Sequence, residues 1–279
     1  MKRAAFAMSE PELAQFVEAL EVQISATIHV SIQELASGRT LNYKSRIRCK
    51  SASVIKIPIL LEAAARVHAG DIHWHFPLTL RDSDKVGGAG ILADLTSGTA
   101  LTLRDICMLM IVLSDNTAAN MLIDYLGLEA INNRIAELGL EDTALYRKAF
   151  TPDSTISRPY GFGMTTAHDM QLLLASLARG IISSGTLCEQ VIGFLSRQQY
   201  RDGIPRFLPG SWNYAGKTGA VEDVRNDVAI VTDDFGQQFA IAVLCQNIAK
   251  SLWTADNPGE IAIAKIARRL LLNDEIFQQ

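Results

Sequence analysis

Apolar and polar positions follow two different periods along this chain. Near the start, the stretch SEPELAQFVEAL repeats its apolar residues with the period of a helix, and Ser9 with Glu12 predicts a capping box there. The next stretch, TIHVSIQEL, alternates Ile28, Val30 and Ile32 with polar residues, which predicts a strand. After the turn ASGR, the stretch TLNY is expected to pair back as a hairpin.

The far end of the chain has a similar pattern. Two alternating stretches, NDVAIVTD and QFAIAVLCQ, flank the turn DDFGQQ and predict two strands. After a break at Asn257-Pro258, the stretch EIAIAKIARRLLL carries an apolar face with helical spacing. We therefore predict that strands from both ends form one antiparallel sheet, covered by the first and last helices.

The middle of the chain, from about residue 53 to about residue 200, has mainly helical periodicity. The stretch TLRDICMLMIVL begins with a predicted Thr102/Asp105 cap, and later helical segments end at Gly127, Gly139 and Gly180. The predicted fold class is α/β of the α+β sandwich type. Residues 1–50 and 205–279 would form the sheet lobe and residues 51–204 the helical lobe, with a ligand cleft between them.

Composition excludes several classes of partner. Hydrophobic residues make up 48% of the chain and charged residues 20%, which is typical of an ordinary globular protein. The net charge of −4 argues against nucleic acid or an anionic membrane, since both require a basic face. No apolar run is long enough to span a membrane. We expect a small-molecule substrate and a monomer.

Cysteine spacing and the first residues bear on cofactors and location. Cys49, Cys107, Cys188 and Cys245 form no CxxC pair, so we expect neither a zinc site nor a disulfide scaffold, and no cofactor. The opening stretch MKRAAFAMSEPELAQ has too short an apolar segment for an export signal. This predicts a cytoplasmic protein, with a periplasmic or secreted location as the alternative if the true start lies upstream.

The stretch SASVIK contains a candidate nucleophile and a candidate base. Ser53 and Lys56 are three residues apart at the mouth of an apolar helix, which places them on one face of that helix and within reach of a hydrogen bond. A serine hydroxyl becomes a useful nucleophile when a base takes its proton, and a lysine buried near another cation is partly neutral. The alternative is a helix-capping serine beside a lysine that reaches solvent.

Two further motifs favour the catalytic interpretation. The tripeptide Ser114-Asp115-Asn116 follows an apolar helix, and Lys217-Thr218-Gly219 precedes the last strands. The motifs SxxK, SDN and KTG together are the signature of class A β-lactamases and penicillin-binding proteins. The stretches SASVIKIPIL, VGGAGILADL and GKTGAVEDVRNDVAIV extend the likeness. From about residue 20 to its end, the chain resembles the class A β-lactamase-related serine hydrolases.

The resemblance implies a role for each motif residue. Ser53 would be the acylated nucleophile and Lys56 its base, while Ser114 would pass a proton to the leaving nitrogen. Asn116 would hold the substrate amide and Lys56. The predicted substrate-binding residues are Lys217 and Thr218 for a carboxylate, Gly219 for close approach, Ala220 with Ser53 for the oxyanion, and Arg225 as a second carboxylate contact.

For some of these residues another interpretation stays open. Arg225 could instead be a solvated charge at the sheet edge. We interpret Asp115 and Glu222 as structural residues.

One feature departs from the class A pattern. In class A enzymes a loop glutamate about 34 residues beyond the SDN asparagine serves deacylation. Here that count ends at Phe150, in the stretch YRKAFTPDSTISRPYG, whose acidic residue is Asp153. Asp153 is a weak candidate for the missing base, so we predict slow deacylation.

The substrate is left open by the sequence. It could be a β-lactam, a D-alanyl peptide, or a small ester or amide. A non-catalytic penicillin-binding or sensor protein is the alternative of another class.

Overall fold

The computed structural model describes residues 8–250 and 252–272 of the chain. Its helices are α1 (Glu10–Ile24), α2 (Lys56–Ala69), α3 (Leu103–Val112), α4 (Asn116–Leu126), α5 (Leu128–Glu137), α6 (Ala167–Ala178), α7 (Gly185–Leu195) and α8 (Pro258–Leu272). Its strands are β1 (Thr27–Glu34), β2 (Thr40–Tyr43), β3 (Cys49–Lys50), β4 (Pro77–Thr79), β5 (Ala100–Thr102), β6 (Ala144–Leu145), β7 (Gly163–Thr165), β8 (Asn213–Val221), β9 (Val224–Thr232) and β10 (Gln238–Gln246).

The main sheet has five strands in the order β2-β1-β10-β9-β8, and every pair in it is antiparallel. Strand β1 pairs along its whole length with β10, from Thr27 opposite Gln246 to Glu34 opposite Phe239. Strands from the two ends of the chain therefore share one sheet. This confirms the predicted fold class, and β8 lies at one edge of the sheet.

The two faces of the sheet belong to two different cores. On one face, Ile28, Val30 and Ile32 pack with residues of α1 and α8, such as Leu13 and Ile263. The other face contributes alternate residues of β8, β9 and β10 to the larger core, which also contains the apolar residues of α2, α3, α4, α6 and α7. The predicted lobe boundaries, at residues 50 and 204, stay a prediction.

The polar side of β1 is buried, although its alternating pattern is that of a strand with one face in solvent. His29 and Ser31 are almost fully buried. Hydrogen bonds compensate for this burial, because Ser31 Oγ donates to Asn42 Oδ1 at 2.9 Å and Gln171 of α6 donates to Gln33. Helix α6 thus covers a sheet face that the sequence pattern alone assigns to water.

The hydrogen bonds predicted at the N-termini of α1 and α3 are present. Ser9 N donates to Glu12 Oε2 at 2.7 Å, and Thr102 Oγ1 accepts from Asp105 N at 3.2 Å. The four cysteines are buried and free. Among the described residues, no helix combines the length and the apolar character that crossing a bilayer requires.

Candidate active site

Ser53 lies in a single 3₁₀ turn, Ala52–Ile55, which leads into α2. The α-helix begins at Lys56, one turn later than the sequence predicts. Ala52, directly before the serine, has φ of 45°, a left-handed conformation that costs a non-glycine residue about 1–2 kcal/mol. Ser53 is half-buried and Lys56 is fully buried. The chain therefore bends sharply just before it presents the serine.

The amine of Lys56 points to the SDN motif. Its Nζ donates to the backbone oxygen of Ser114 at 2.5 Å and to Asn116 Oδ1 at 2.8 Å, and it lies 3.3 Å from Ser114 Oγ. The hydrogen bond expected between Ser53 Oγ and Lys56 Nζ is absent, and Ser53 Oγ bonds to no other described residue. The SxxK and SDN motifs thus meet at the lysine.

Burial is the main cause of a changed acidity at Lys56. Removal from solvent, followed by the nearby charge of Lys217, lowers the pKa of Lys56 well below its usual range. A neutral amine has two N–H donors and one lone pair. If the donors serve Ser114 O and Asn116 Oδ1, the lone pair is left for the hydroxyl proton of Ser53 or Ser114.

The SDN motif also holds the loop of residues 86–92. Asp115 accepts from Ala118 N at the start of α4, and its other oxygen accepts from Ile91 N at 2.7 Å and Leu92 N at 2.8 Å. Gly90 has φ of 109°, and a Cβ there would lie 2.2 Å from Asp115 Cγ. Asp115 is therefore structural, as predicted from sequence.

The KTG motif lies within the edge strand β8, where Lys217 is fully buried. Its Nζ donates to Thr218 O at 2.8 Å, and burial lowers the pKa of Lys217 to about 7. A Cβ on Gly219 would lie 3.1 Å from Ser53 N and 3.0 Å from Ser51 O. The structure thus brings the third motif against the serine, and Ala220 follows Gly219 on the same edge strand.

Sequence reasoning missed a buried acid behind this strand. Asp227 of β9 lies opposite Thr218, and its Oδ1 accepts from Tyr214 OH at 2.6 Å. Burial raises the pKa of Asp227 to about 7, and its charge favours the protonated form of Lys217. A single aspartate within the apolar stretch NDVAIV was the available signal.

The position of Arg225 fits neither of the two roles that the sequence suggested for it. Only 2% of the residue is exposed, so it is not a solvated charge. Its guanidinium donates to the backbone oxygens of Val221 and Val224 at 2.7 Å and of Leu252 at 2.6 Å, and it lies 4.6 Å from the Trp253 ring centre. As it lies, the side chain is unavailable to a substrate carboxylate, which corrects the prediction.

The three motifs meet around Ser53 and Lys56, since Lys56 contacts Ser114 and Asn116 and Gly219 lies against Ser53. A profile described as the beta-lactamase enzyme family matches residues 12–274. The chain belongs to this family. Membership confirms the resemblance inferred from the motifs and the predicted enzyme class, a serine hydrolase of β-lactamase type.

Individual members of the β-lactamase family and related structures are also similar. A β-lactamase structure from Sphaerobacter thermophilus is 32% identical, covers 97% of this chain and 99% of its own, and has a TM-score of 0.86. The structure of a PBP-A point mutant, an acyl-enzyme complex with penicillin G, is 26% identical, covering 94% and 95%, with a TM-score of 0.83. A β-lactamase of Rhodobacter capsulatus is 24% identical over 80% of this chain and 76% of its own.

In this member of the β-lactamase family, the loop between β6 and β7 brings an aromatic residue close to the SDN motif. Phe150 is 67% exposed and has φ of 59°. A Cβ on Gly88 would lie 2.9 Å from Phe150 Cζ and 2.7 Å from Asn116 Nδ2, so both side chains lie against Gly88. Asn120 holds the preceding residue, because it accepts from Ala149 N and donates to Ala149 O.

The acid of the same loop is engaged elsewhere. Asp153 Oδ1 accepts from Arg147 Nε at 2.9 Å, and Ser157 Oγ donates to the same oxygen at 3.3 Å. A carboxylate committed to a guanidinium would have to leave it before activating water. Asp153 therefore gains no support as the deacylation base.

Proposed function

We propose that this protein is a serine hydrolase that β-lactams acylate on Ser53 and that releases the acyl group slowly. The observation that carries the proposal is the buried amine of Lys56. It lies one turn after Ser53, hydrogen-bonded to Ser114 and Asn116, and its pKa is well below the usual range. A lysine in that state can accept a proton at neutral pH.

The positions of the three motifs support the following route for acylation. Ser53 Oγ forms a bond to the lactam carbonyl carbon, and its proton passes to Lys56 Nζ. The carbonyl oxygen becomes an oxyanion, which the backbone N–H groups of Ser53 and Ala220 stabilise. When the C–N bond breaks, Ser114 donates its proton to the leaving nitrogen and is reprotonated by Lys56. Lys217, with Thr218, holds the substrate carboxylate.

Deacylation lacks an equivalent group. Hydrolysis of the ester on Ser53 requires a base that takes a proton from water, and general-base help is worth about 10²–10⁴-fold. Phe150 lies against Gly88, as Asn116 does, and Asp153 is paired with Arg147. The acyl-enzyme is therefore expected to persist.

Intact-mass measurement after mixing with benzylpenicillin tests the proposal. The expected result is stoichiometric gain of one penicillin mass, persisting long after free penicillin is removed. Ser53→Ala, which keeps the fold but removes the nucleophile, is expected to gain no mass. Rapid loss of the adduct with fast turnover would contradict slow deacylation, and an adduct on Ser53→Ala would contradict the assigned nucleophile.

Acylation is expected to depend on pH through both lysines. Lys56 must be neutral, so the rate rises as pH climbs through its lowered pKa; Lys217 must be charged, so the rate falls above about pH 7. Loss of that charge is expected to cost about tenfold or more, since hydrogen bonds to charged groups contribute ~1.5–3 kcal/mol. Stopped-flow acylation by nitrocefin between about pH 5 and about pH 10 measures the profile across both titrations.

Lys217→Arg is the control for the alkaline side of that profile. A guanidinium stays charged throughout this range, so its rate is expected to stop falling above about pH 7. An alkaline fall that persists unchanged in Lys217→Arg would show that another group causes it.

A penicillin-binding or D-alanyl peptidase role is the second candidate, and the loop favours it. An acyl-enzyme that clears slowly captures β-lactams without destroying many of them, and the similar PBP-A mutant was captured as a penicillin G acyl-enzyme. Release of D-alanine from a D-alanyl-D-alanine peptide, absent in Ser53→Ala, would support this role. Turnover of nitrocefin without such release would favour the hydrolase role.

A further inference from the structure

Two buried side-chain amides hold the segment directly before the nucleophile. Asn226 of β9 is fully buried, and its Nδ2 donates to the backbone oxygens of Lys50 and Ser51, each at 3.0 Å. These are the last two carbonyls before the turn that contains Ser53. The central sheet thus contacts the nucleophile segment through a side chain that belongs to none of the three motifs.

Gln246, the last residue of β10, completes the contact. Its Oε1 accepts from Lys50 N at 3.2 Å, and its Nε2 donates to Asn226 Oδ1 at 2.9 Å and to Lys50 O at 3.3 Å. Every polar atom of both amides is therefore used. We call Asn226 and Gln246 together the amide pair. The Lys50 side chain adds an ion pair with Asp223, at 2.8 Å.

The segment that the amide pair holds is under conformational strain. Ala52 adopts φ of 45°, and Ser51 N donates to Gly163 O of β7 at 2.9 Å. Strained backbone persists where surrounding contacts over-determine it. Without the amide pair, Ser51 O would lose its side-chain donor, and the turn could relax toward a conformation without positive φ.

Relaxation of this turn would move the reacting groups. Ser53 N lies close to Gly219 of β8, because a Cβ atom added to that glycine would be 3.1 Å from Ser53 N. The oxyanion site uses this N–H together with that of Ala220, so its geometry depends on how the turn meets β8. A shift of about 1 Å in a catalytic geometry can cost about 10²-fold in rate.

We propose that Asn226 and Gln246 are positioning residues for acylation: they hold the Ser51–Ala52 turn so that the N–H and hydroxyl of Ser53 face the substrate carbonyl. Neither residue touches the substrate. This inference rests on the proposed acylation of Ser53, and it adds two residues of the sheet to the groups on which that step depends.

The chain offers a matched control for such an amide contact. Asn132 of α5 donates to Leu128 O at 3.2 Å and Leu145 O at 2.8 Å, and it accepts from Leu145 N at 2.9 Å. It therefore joins two backbone segments as Asn226 does, but its partners belong to α5 and β6 rather than to the nucleophile segment. Loss of Asn132 tests what an amide contact contributes to stability alone.

The experiment compares Asn226→Ala, Gln246→Met and Asn132→Ala with the wild-type chain. Two quantities are measured for each: the second-order rate constant of acylation by nitrocefin, and inhibition by phenylboronic acid, whose tetrahedral adduct on serine places an oxygen at the oxyanion position. Melting temperature is recorded for all variants. We expect Asn226→Ala to lose about 10²-fold in acylation and about tenfold or more in boronate affinity, and Gln246→Met to lose less in both.

The control separates positioning from stability. Asn132→Ala is expected to lower the melting temperature but to keep both quantities within about threefold of wild type, because its contacts lie outside the site. If the amide-pair variants change no more than Asn132→Ala does, positioning is refuted. Should Asn226→Ala fail to fold, Gln246→Met, which keeps the Asn226 contacts to Lys50 and Ser51, decides the matter with a smaller expected loss.

If the proposed function itself is wrong, the experiment gives a different result. If wild-type protein forms neither an acyl-enzyme nor a boronate adduct, both the proposed function and this inference are overturned. If wild type reacts and the amide-pair variants react equally fast, only the inference is overturned. An unchanged pH profile in slowed variants supports positioning, because it would show that the pKa values of Lys56 and Lys217 are the same as in the wild type.

Discussion

Lys56→Met is expected to slow acylation of Ser53 by benzylpenicillin about 10³-fold or more, with the fold retained. The methionine side chain fills the same buried space without a proton acceptor, and general-base catalysis is worth about 10²–10⁴-fold. Desolvation of Lys56 is unfavourable for a charged amine, so its removal is not expected to destabilise the core. The measurement is the time course of intact mass, with melting temperature recorded in parallel.

Lys44→Met is the control for this substitution. Lys44 is a partly exposed lysine that follows β2, the edge strand farthest from β8, and its amine pairs with Glu21. The variant is expected to acylate at the wild-type rate. If Lys56→Met acylated as fast as Lys44→Met, another group would be the base and the central assignment would fail. The result would also show that the lowered pKa of Lys56 has no catalytic use.

Phe150→Glu is expected to accelerate deacylation about 10²–10⁴-fold, while acylation changes little. The aromatic ring lies beside Gly88, against which Asn116 also lies, so a glutamate at this position can carry a carboxylate close to the SDN motif. That carboxylate could take a proton from the water that attacks the ester. The measurements are the steady-state turnover of benzylpenicillin and the lifetime of the adduct by mass.

Phe150→Gln separates the carboxylate from the space that it opens. Glutamine has nearly the same shape as glutamate but cannot act as a base at neutral pH. It is expected to keep the slow release of the wild type. Equal acceleration by both variants would show that Phe150 slows deacylation by blocking water rather than by replacing a base. No acceleration by either would place the deacylation defect elsewhere in the loop.

The candidate site depends on two buried lysines, and the charge of Lys217 contributes to the lowered pKa of Lys56. The charge of Lys217 is the second cause, after burial, of the lowered pKa of Lys56. Asp227 acts in the opposite direction on Lys217, since its charge favours the protonated lysine. The pair can thus divide two tasks: Lys56 accepts a proton, while Lys217 attracts an anion. A single lysine cannot be neutral for one task and charged for the other.

The periodic segments were predictable because periodicity records burial directly. The strands β1, β9 and β10 and the helices α1, α3 and α8 follow from local apolar patterns, and their caps follow from short-range hydrogen bonds. The polar face of β1 was not predictable in its burial. His29 and Ser31 look like solvent-facing residues, but both are buried, and Gln171 of α6, far along the chain, contacts Ser31.

In the candidate site, too, some features could be predicted from the sequence and others could not. Ser53, Lys56, Ser114, Asn116 and Lys217 could be chosen from the sequence because the motif order itself is informative. Where Lys56 points could not, since its position depends on Ser114 and Asn116 at the end of another helix.

Residues without a motif were harder to interpret. Arg225 has a charge and a position that suit substrate binding, but three backbone oxygens accept hydrogen bonds from its guanidinium and hold it elsewhere.

The sequence alone determined the periodic helices and strands, the family resemblance, and the candidate residues for the chemistry. These properties depend on residue type and on neighbours within a few positions. Only the tertiary structure decided which groups Lys56 faces, that Arg225 is engaged, that Phe150 and Asn116 both lie against Gly88, and that Asn226 and Gln246 hold the nucleophile segment. Those contacts join residues distant along the chain, and such pairs become neighbours only when the sheet and the helices pack.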